Sequence, residues 1–284
     1  MTRDIFRPFS EGEREEKLRA FAEFLKERDG VPDLASRTLS RREETLKRFR
    51  GTTILYPGAF DRALFDAQYR RYNKRRKTPQ EILLLLTFIK FNNVEAFAVE
   101  KSFRAVERGI VRPKNDLELI LLLEEHYHTK ILLSAANLFG LNIEPRFEAS
   151  LGVRVINTAT LRLPDVIRYP LLLVAEVLGV IMLLRMLRSL CEIFKATPPL
   201  CDALEERLID VLIDEIGHVT YNRLQLNSWG LAQAQLCLPL AAVGIGSPVR
   251  EARALGLFPV PWRDVFMFEM KQIPEEIRRQ AFIA

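Results

Sequence analysis

Four long stretches of helical periodicity, at about 79–109, 115–140, 166–195 and 200–228, each carry acids within an apolar stripe, and that conflict constrains the fold most. Glu176 lies in LLLVAEVLGVIMLL (171–184), with Leu172 and Leu173 behind it and Gly179 and Val180 ahead. Glu95 lies in FIKFNNVEAFAVE, surrounded on the helix by Phe91, Ala98 and Val99. A lone carboxylate in such a place costs several kcal/mol or is protonated, unless a cation meets it. No Lys or Arg shares either stripe near the acid. The positive charge must come from elsewhere.

The histidines indicate its source. The chain has only three, His126, His128 and His218. Glu125 stands three residues before His128, and Glu215 three residues before His218, so each pair shares one helix face. One Glu from each of two helices plus Glu-x-x-His from each of the other two describes a di-iron or di-manganese site in a helical bundle. The expected ligands are therefore Glu95, Glu125, His128, Glu176, Glu215 and His218, one set per long helix. Four carboxylates offset two divalent ions. The mixed oxygen and imidazole donors suit iron or manganese, and no cysteine is placed to favour zinc. On the first helix Glu100 is the alternative to Glu95, although it shares its face with Arg104 and Glu107 in what reads as a solvated salt-bridge face. Glu124 and Asp214 precede the two motifs. They read either as outer acceptors that orient the histidine across the bundle or as solvent-facing acids. His126 falls off the ligand face and reads as a surface histidine.

The connections set the topology. Short loops join the first long helix to the second and the third to the fourth, while 141–164 is a longer gap with extended character. The expected fold is all-α: a four-helix bundle with one long crossover, plus extra N-terminal and C-terminal helices. The first long helix opens at TPQE, with Thr78 as N-cap, and the second at NDLE, with Asn115 as N-cap. Residues 1–78 supply N-terminal helices at about 11–28, 35–50 and 59–72. Residues 79–228 form the bundle, and 229–284 a helical extension read as short helices, all in one domain. A hydrophobic content of 48% in 284 residues supports a sizeable core. Three cysteines, Cys191, Cys201 and Cys237, define no disulfide framework, which points to a reducing cytoplasm. The run 171–184 is short for a membrane span and carries an acid, so it is read as a buried helix.

EEHYH and DEIGH resemble the paired acid-Glu-x-x-His motifs of ferritin-like non-haem di-iron carboxylate proteins, over about residues 80–228. These include acyl-carrier-protein desaturases, multicomponent monooxygenases, ribonucleotide reductase small subunits and aminoarene N-oxygenases. The resemblance implies a ferritin-like bundle holding two Fe ions, with Mn as the alternative, that uses O2 to hydroxylate, N-oxygenate or desaturate an organic substrate. This chain departs from the branches at single positions. Tyr127 and Gly217 stand where desaturases and monooxygenases carry Arg. Leu132 stands where the reductases place a tyrosine, and Val211 where N-oxygenases add a histidine. A plain six-ligand site is implied. Gly179 beside Glu176 either opens room for substrate or lets helices approach.

No flavin, nucleotide or iron–sulfur motif is evident, so an external electron donor, a ferredoxin or reductase, is expected. The basic run RRYNKRRK (Arg70, Arg71, Lys74, Arg75, Arg76, Lys77) is either a solvated face or a docking patch for an acidic partner such as that donor or a substrate carrier protein. Its aromatic residues, Tyr69 and Tyr72, are too few for sequence-reading nucleic-acid recognition. A homodimer is the expected assembly. Ferritin-type iron storage, and a helical binding protein whose acids and histidines are incidental, are the competing readings.

Overall fold

The structure, a computed structural model, describes residues 4–52, 55–58, 60–113, 115–144, 151–244 and 249–284. Helices account for 70% of it and strands for 2%, so the all-α expectation holds. The long helices are α4 (Gln80–Glu107), α5 (Asp116–Asn137), α7 (Asp165–Ile193) and α8 (Pro198–Leu224). α4 packs on α5, α7 on α8, α5 on α8 and α4 on α7, closing a four-sided arrangement around an apolar interior. Asn115 caps α5 as expected, its side chain accepting from the Glu118 N–H at 3.0 Å. The expected cap at Thr78 does not form. Pro79 takes that position without a side-chain bond, and the Thr78 hydroxyl instead accepts from Gln68 and donates to the Arg76 carbonyl. By length and composition α4 and α7 could cross a membrane, but 72% and 56% of their most apolar windows are buried inside the protein.

The flanking segments differ from expectation in three places. The stretch expected as a helix over 35–50 begins as a two-stranded hairpin, β1 (Pro32–Asp33) with β2 (Thr38–Leu39), before α2 (Arg42–Arg50). Asp33 makes the turn by accepting from the Ala35 and Ser36 N–H groups, and Arg37 takes a positive φ of 54°. The expected loop at 141–164 contains α6 (Leu151–Thr160), packed on α4, so its β-branched residues adopt a helix under tertiary contact. The tail opens with a full-length helix, α9 (Ser228–Gly244), which lies along α7 and continues through Pro239. After it come α10 (Arg250–Ala254), packed on α4, then α11 (Trp262–Met267) and α12 (Glu275–Arg278). α3 (Arg62–Arg70) lies on α4 and starts at an Asp61 cap.

The N-terminal α1 (Glu11–Asp29) packs across α8 and α5. It begins with a complete capping box between Ser10 and Glu13. Phe21 on its inner face is fully buried and stacks on Phe282 at 5.0 Å. A Cβ on Gly217 would come within 3.2 Å of the Phe21 ring, so the glycine in DEIGH lets α1 approach α8 beside His218. Phe21→Ala is expected to cost about 3–5 kcal/mol in urea unfolding, because the cavity would lie between three elements that cannot all collapse into it.

Candidate metal centre

Helical spacing delivers the six expected side chains to one place. Glu95 comes from α4, Glu125 and His128 from α5, Glu176 from α7, and Glu215 and His218 from α8. Ligand atoms of Glu95, Glu125 and His128 lie within 4.8 Å of one another, as do those of Glu125, Glu176, Glu215 and His218. Glu125 belongs to both groups. Its carboxylate lies 3.0 Å from His218 Nδ1 and 3.7 Å from His128 Nδ1. His128 Nδ1 also faces Glu215 at 3.4 Å and Glu95 at 3.5 Å. The two imidazoles stand 5.6 Å apart between ring centroids.

Each ring presents Nδ1 to the cluster, and its Nε2 is held from behind. His128 Nε2 meets Asp214 Oδ2 at 2.9 Å and His218 Nε2 meets Glu124 Oε2 at 3.1 Å. Glu124 and Asp214 are buried, so they are not the solvent-facing acids of the other reading. Each grips the histidine of the neighbouring helix. Glu100 lies outside the cluster: Arg37 and Arg104 hold its carboxylate at 2.9 and 2.7 Å.

A further ring of charge comes from the N-terminal elements, which sequence reasoning missed. Arg28, at the end of α1, forms an ion pair with Asp214 and lies 3.8 Å from Glu124. Arg42, at the start of α2, reaches Asp214 at 2.6 Å and Asp210 at 3.0 Å. Asp29 lies 3.6 Å from Arg42 and is fully buried. Tyr127 ties the hairpin to the same region, its hydroxyl donating to Glu43 and accepting from the Leu39 N–H at 3.1 Å.

The electrostatics are those of an anionic cluster whose charge the protein does not balance. Burial, followed by Glu125 and Glu215, pushes Glu95 up to about 7. Burial, followed by Glu215 and Glu125, raises Glu176 well above the carboxylate range. Against its own burial, Glu125 is held far below that range by His128 and His218. Glu124, equally buried, is lowered to about 2, chiefly by His218. Both ligand-face histidines are raised well above their ordinary value, since the surrounding carboxylates outweigh burial. Glu95 Oε1 and His128 Nδ1 are buried and have no hydrogen-bond partner among the described residues. An oxygen- and imidazole-lined cluster with orphaned inward-facing donors fits a pair of divalent cations, which would replace the protons that now relieve the repulsion.

Gly179 has a modest role: a methyl there would meet Glu215 Oε2 at 3.5 Å, ordinary contact, so neither the site nor the packing requires glycine. His126 is half-buried rather than a free surface histidine, edge-on to Phe103 at 5.6 Å. Burial, then Lys130 and Arg37, lowers it to about 4. Between its ordinary value of 6.5 and about 4 the unfolded chain takes up a proton that the folded chain refuses, so stability falls as pH drops through that window. His126→Gln is expected to flatten this part of the pH–stability curve relative to wild type, as read by chemical denaturation at stepped pH.

Comparison with protein-family models, with curated proteins and with solved structures finds no match, so the reading of this centre rests on its own geometry.

Proposed function

We propose that the chain is a ferritin-like di-iron carboxylate oxygenase or oxidase. In this reading Glu95, Glu125, His128, Glu176, Glu215 and His218 hold two iron ions, with manganese as the alternative, and O2 is the co-substrate. One observation carries the proposal: two imidazoles offer Nδ1 to carboxylates from all four long helices, while buried acids hold each Nε2. Such a centre, when loaded and reduced, supplies the electrons that activate dioxygen for attack on an organic C–H or N–H bond.

The protein's own contribution is positional. Glu125, shared by both groups, would serve both ions, and Glu215, which faces His128 from α8, would hold its part of the centre from the opposite helix. Asp214 and Glu124 accept from Nε2–H, which stiffens both rings and would leave Nδ1, once it gives up its proton, as the nitrogen that binds an ion. Arg28 and Arg42 set positive charge against Asp214, and Arg28 also against Glu124, without entering the centre. The apolar walls of the four helices exclude water from the rest of the interior.

The electrons come from a separate donor, a ferredoxin or reductase, and the substrate either diffuses in or arrives on an acidic carrier protein. Arg71, Lys74, Arg75 and Arg76 line an open groove of about 1200 Å³ together with Arg250 and Arg253 of α10, which favours docking of such a partner. Arg70 and Lys77 flank the same run and are exposed. Charge reversal at Arg75 and Arg76 is expected to weaken donor binding most at low salt; an affinity that does not change with these residues removes the docking role. The free thiols of Cys191, Cys201 and Cys237 fit a reducing cytoplasm, and a homodimer is the assembly to test first.

The decisive experiment is metal analysis of the purified chain followed by O2 uptake after chemical reduction. About two iron or manganese per chain, with uptake of O2 on reduction, is the expected result. Shell-like particles carrying many irons per chain would establish storage instead. A chain that retains no metal would return the acids and histidines to a structural role.

A further inference from the structure

An open cavity of about 210 Å³ begins where α4 turns into α5 and ends on Glu125, Glu176 and His218. Its walls are largely apolar, with Val106, Leu121, Leu122 and Leu172 among them. Besides Ser102 and Asn222, two charged residues stand in the walls away from the metal centre. Glu118 accepts the hydroxyl hydrogens of Tyr169 at 2.9 Å and Tyr221 at 3.0 Å, so its charge is already engaged. Arg168 is the other, and it is the only Arg or Lys among the described lining residues.

Arg168 is incompletely used by the protein. One Nη donates to Asp165 at 2.8 Å, an acid whose side chain is 48% exposed. The guanidinium carbon lies 5.1 Å from the centre of the Tyr169 ring. Its Nε is buried and has no hydrogen-bond partner among the described residues. A guanidinium that lines the cavity, lies over an aromatic ring and spends one Nη on a half-exposed acid keeps donors for one more planar anion. On α7, Arg168, Leu172 and Glu176 follow one another at intervals of four, so they share a face, and Arg168 stands about 12 Å along the axis from Glu176.

We propose that this cavity is the substrate site and that it selects a small, mostly apolar acid, with the carboxylate at Arg168 and the hydrocarbon body extending past Leu172 toward Glu125 and Glu176. The proposal rests on reading the cluster as an oxidising dimetal centre. It adds the chemical class of the molecule and the residue that recognises it. The cavity is small for a ligand pocket, which limits the substrate to a short chain or a single ring. The anionic end fixes direction, so the end remote from the acid group is the one presented to the centre.

The test uses hexanoate, hexanol and hexylamine, three probes with one skeleton, titrated calorimetrically into the full chain both as purified and after chelation. Hexanoate is expected to bind at least about tenfold more tightly than hexanol in both preparations. Arg168→Gln should abolish that preference while leaving hexanol unchanged, and Arg168→Lys should restore part of it. Leu172→Trp, with its fold verified by circular dichroism, should block all three probes. Equal binding of hexanol or hexylamine, no binding of any probe, or a preference that survives Arg168→Gln would overturn the assignment. Persistence of the preference after chelation separates Arg168 from direct coordination by a metal. A chain that prefers hexanoate but never holds metal would overturn the oxidising centre and leave the acid site standing; a metal-loaded chain without the preference would do the reverse.

Discussion

Glu125→Ala is expected to reduce bound iron or manganese from about two per chain to near zero, measured by elemental analysis after purification in metal-supplemented medium. This carboxylate is shared by both candidate ligand groups, so its removal opens both at once. Glu215→Ala should match it, because Glu215 contributes to one group and faces His128 of the other at 3.4 Å. Glu100→Ala is the control. Arg37 and Arg104 engage Glu100 away from the cluster, and metal content should not change. Stability should move in the opposite direction at Glu176. Burial and two neighbouring carboxylates disfavour ionisation of Glu176, so Glu176→Gln should raise the melting temperature of the metal-free protein while lowering metal content. A side chain retained for packing would show the reverse. Full metal content in both Glu125→Ala and Glu215→Ala would end the dimetal reading.

The parts of this arrangement legible in the sequence are those that a helix repeats locally. An i, i+3 pair shares a face whatever surrounds it, so Glu125 with His128 and Glu215 with His218 could be read directly, as could an acid stranded among Phe91, Ala98 and Val99. The choice of Glu95 over Glu100 needed only the observation that Glu100 has cationic company on its own helix, and the structure adds Arg37 from the distant hairpin. Arg28, Asp29 and Arg42 were not legible. They lie in charged, apparently solvated helices, and Arg42 meets Asp214 across a separation of 172 residues, which local periodicity does not encode. The hairpin at 32–39 was hidden for a different reason. Its turn is built by Asp33 and a left-handed Arg37, where no Gly or Asn announces the positive φ. α6 was obscured by β-branched residues, whose strand preference is weaker than packing against α4.

Arg42→Met is expected to destabilise the chain by about 3–5 kcal/mol, because it removes the more deeply buried of the two cations, Arg28 and Arg42, that meet a buried acidic group. Arg42 is 3% exposed and serves Asp214, Asp210 and Asp29 together. Burial, then Glu124, already raises Asp29 to about 8, and removal of Arg42 takes away one of the two cations that oppose this rise. The effect should reach the metal centre through Asp214, which holds His128 Nε2. Asp214→Asn keeps an acceptor beside His128 but removes the charge, and it is expected to weaken metal binding about 10–100-fold. The double variant separates the two consequences. With the carboxylate and its guanidinium partner both neutralised, the stability loss should be smaller than the sum of the single losses, since the uncompensated charge is gone. Metal affinity should stay as low as in Asp214→Asn alone, because what orients and polarises His128 is the carboxylate rather than the arginine. Additive losses in stability would mean that Arg42 acts mainly by packing against Tyr127. Recovery of metal affinity in the double variant would separate the outer charge ring from the histidines it surrounds.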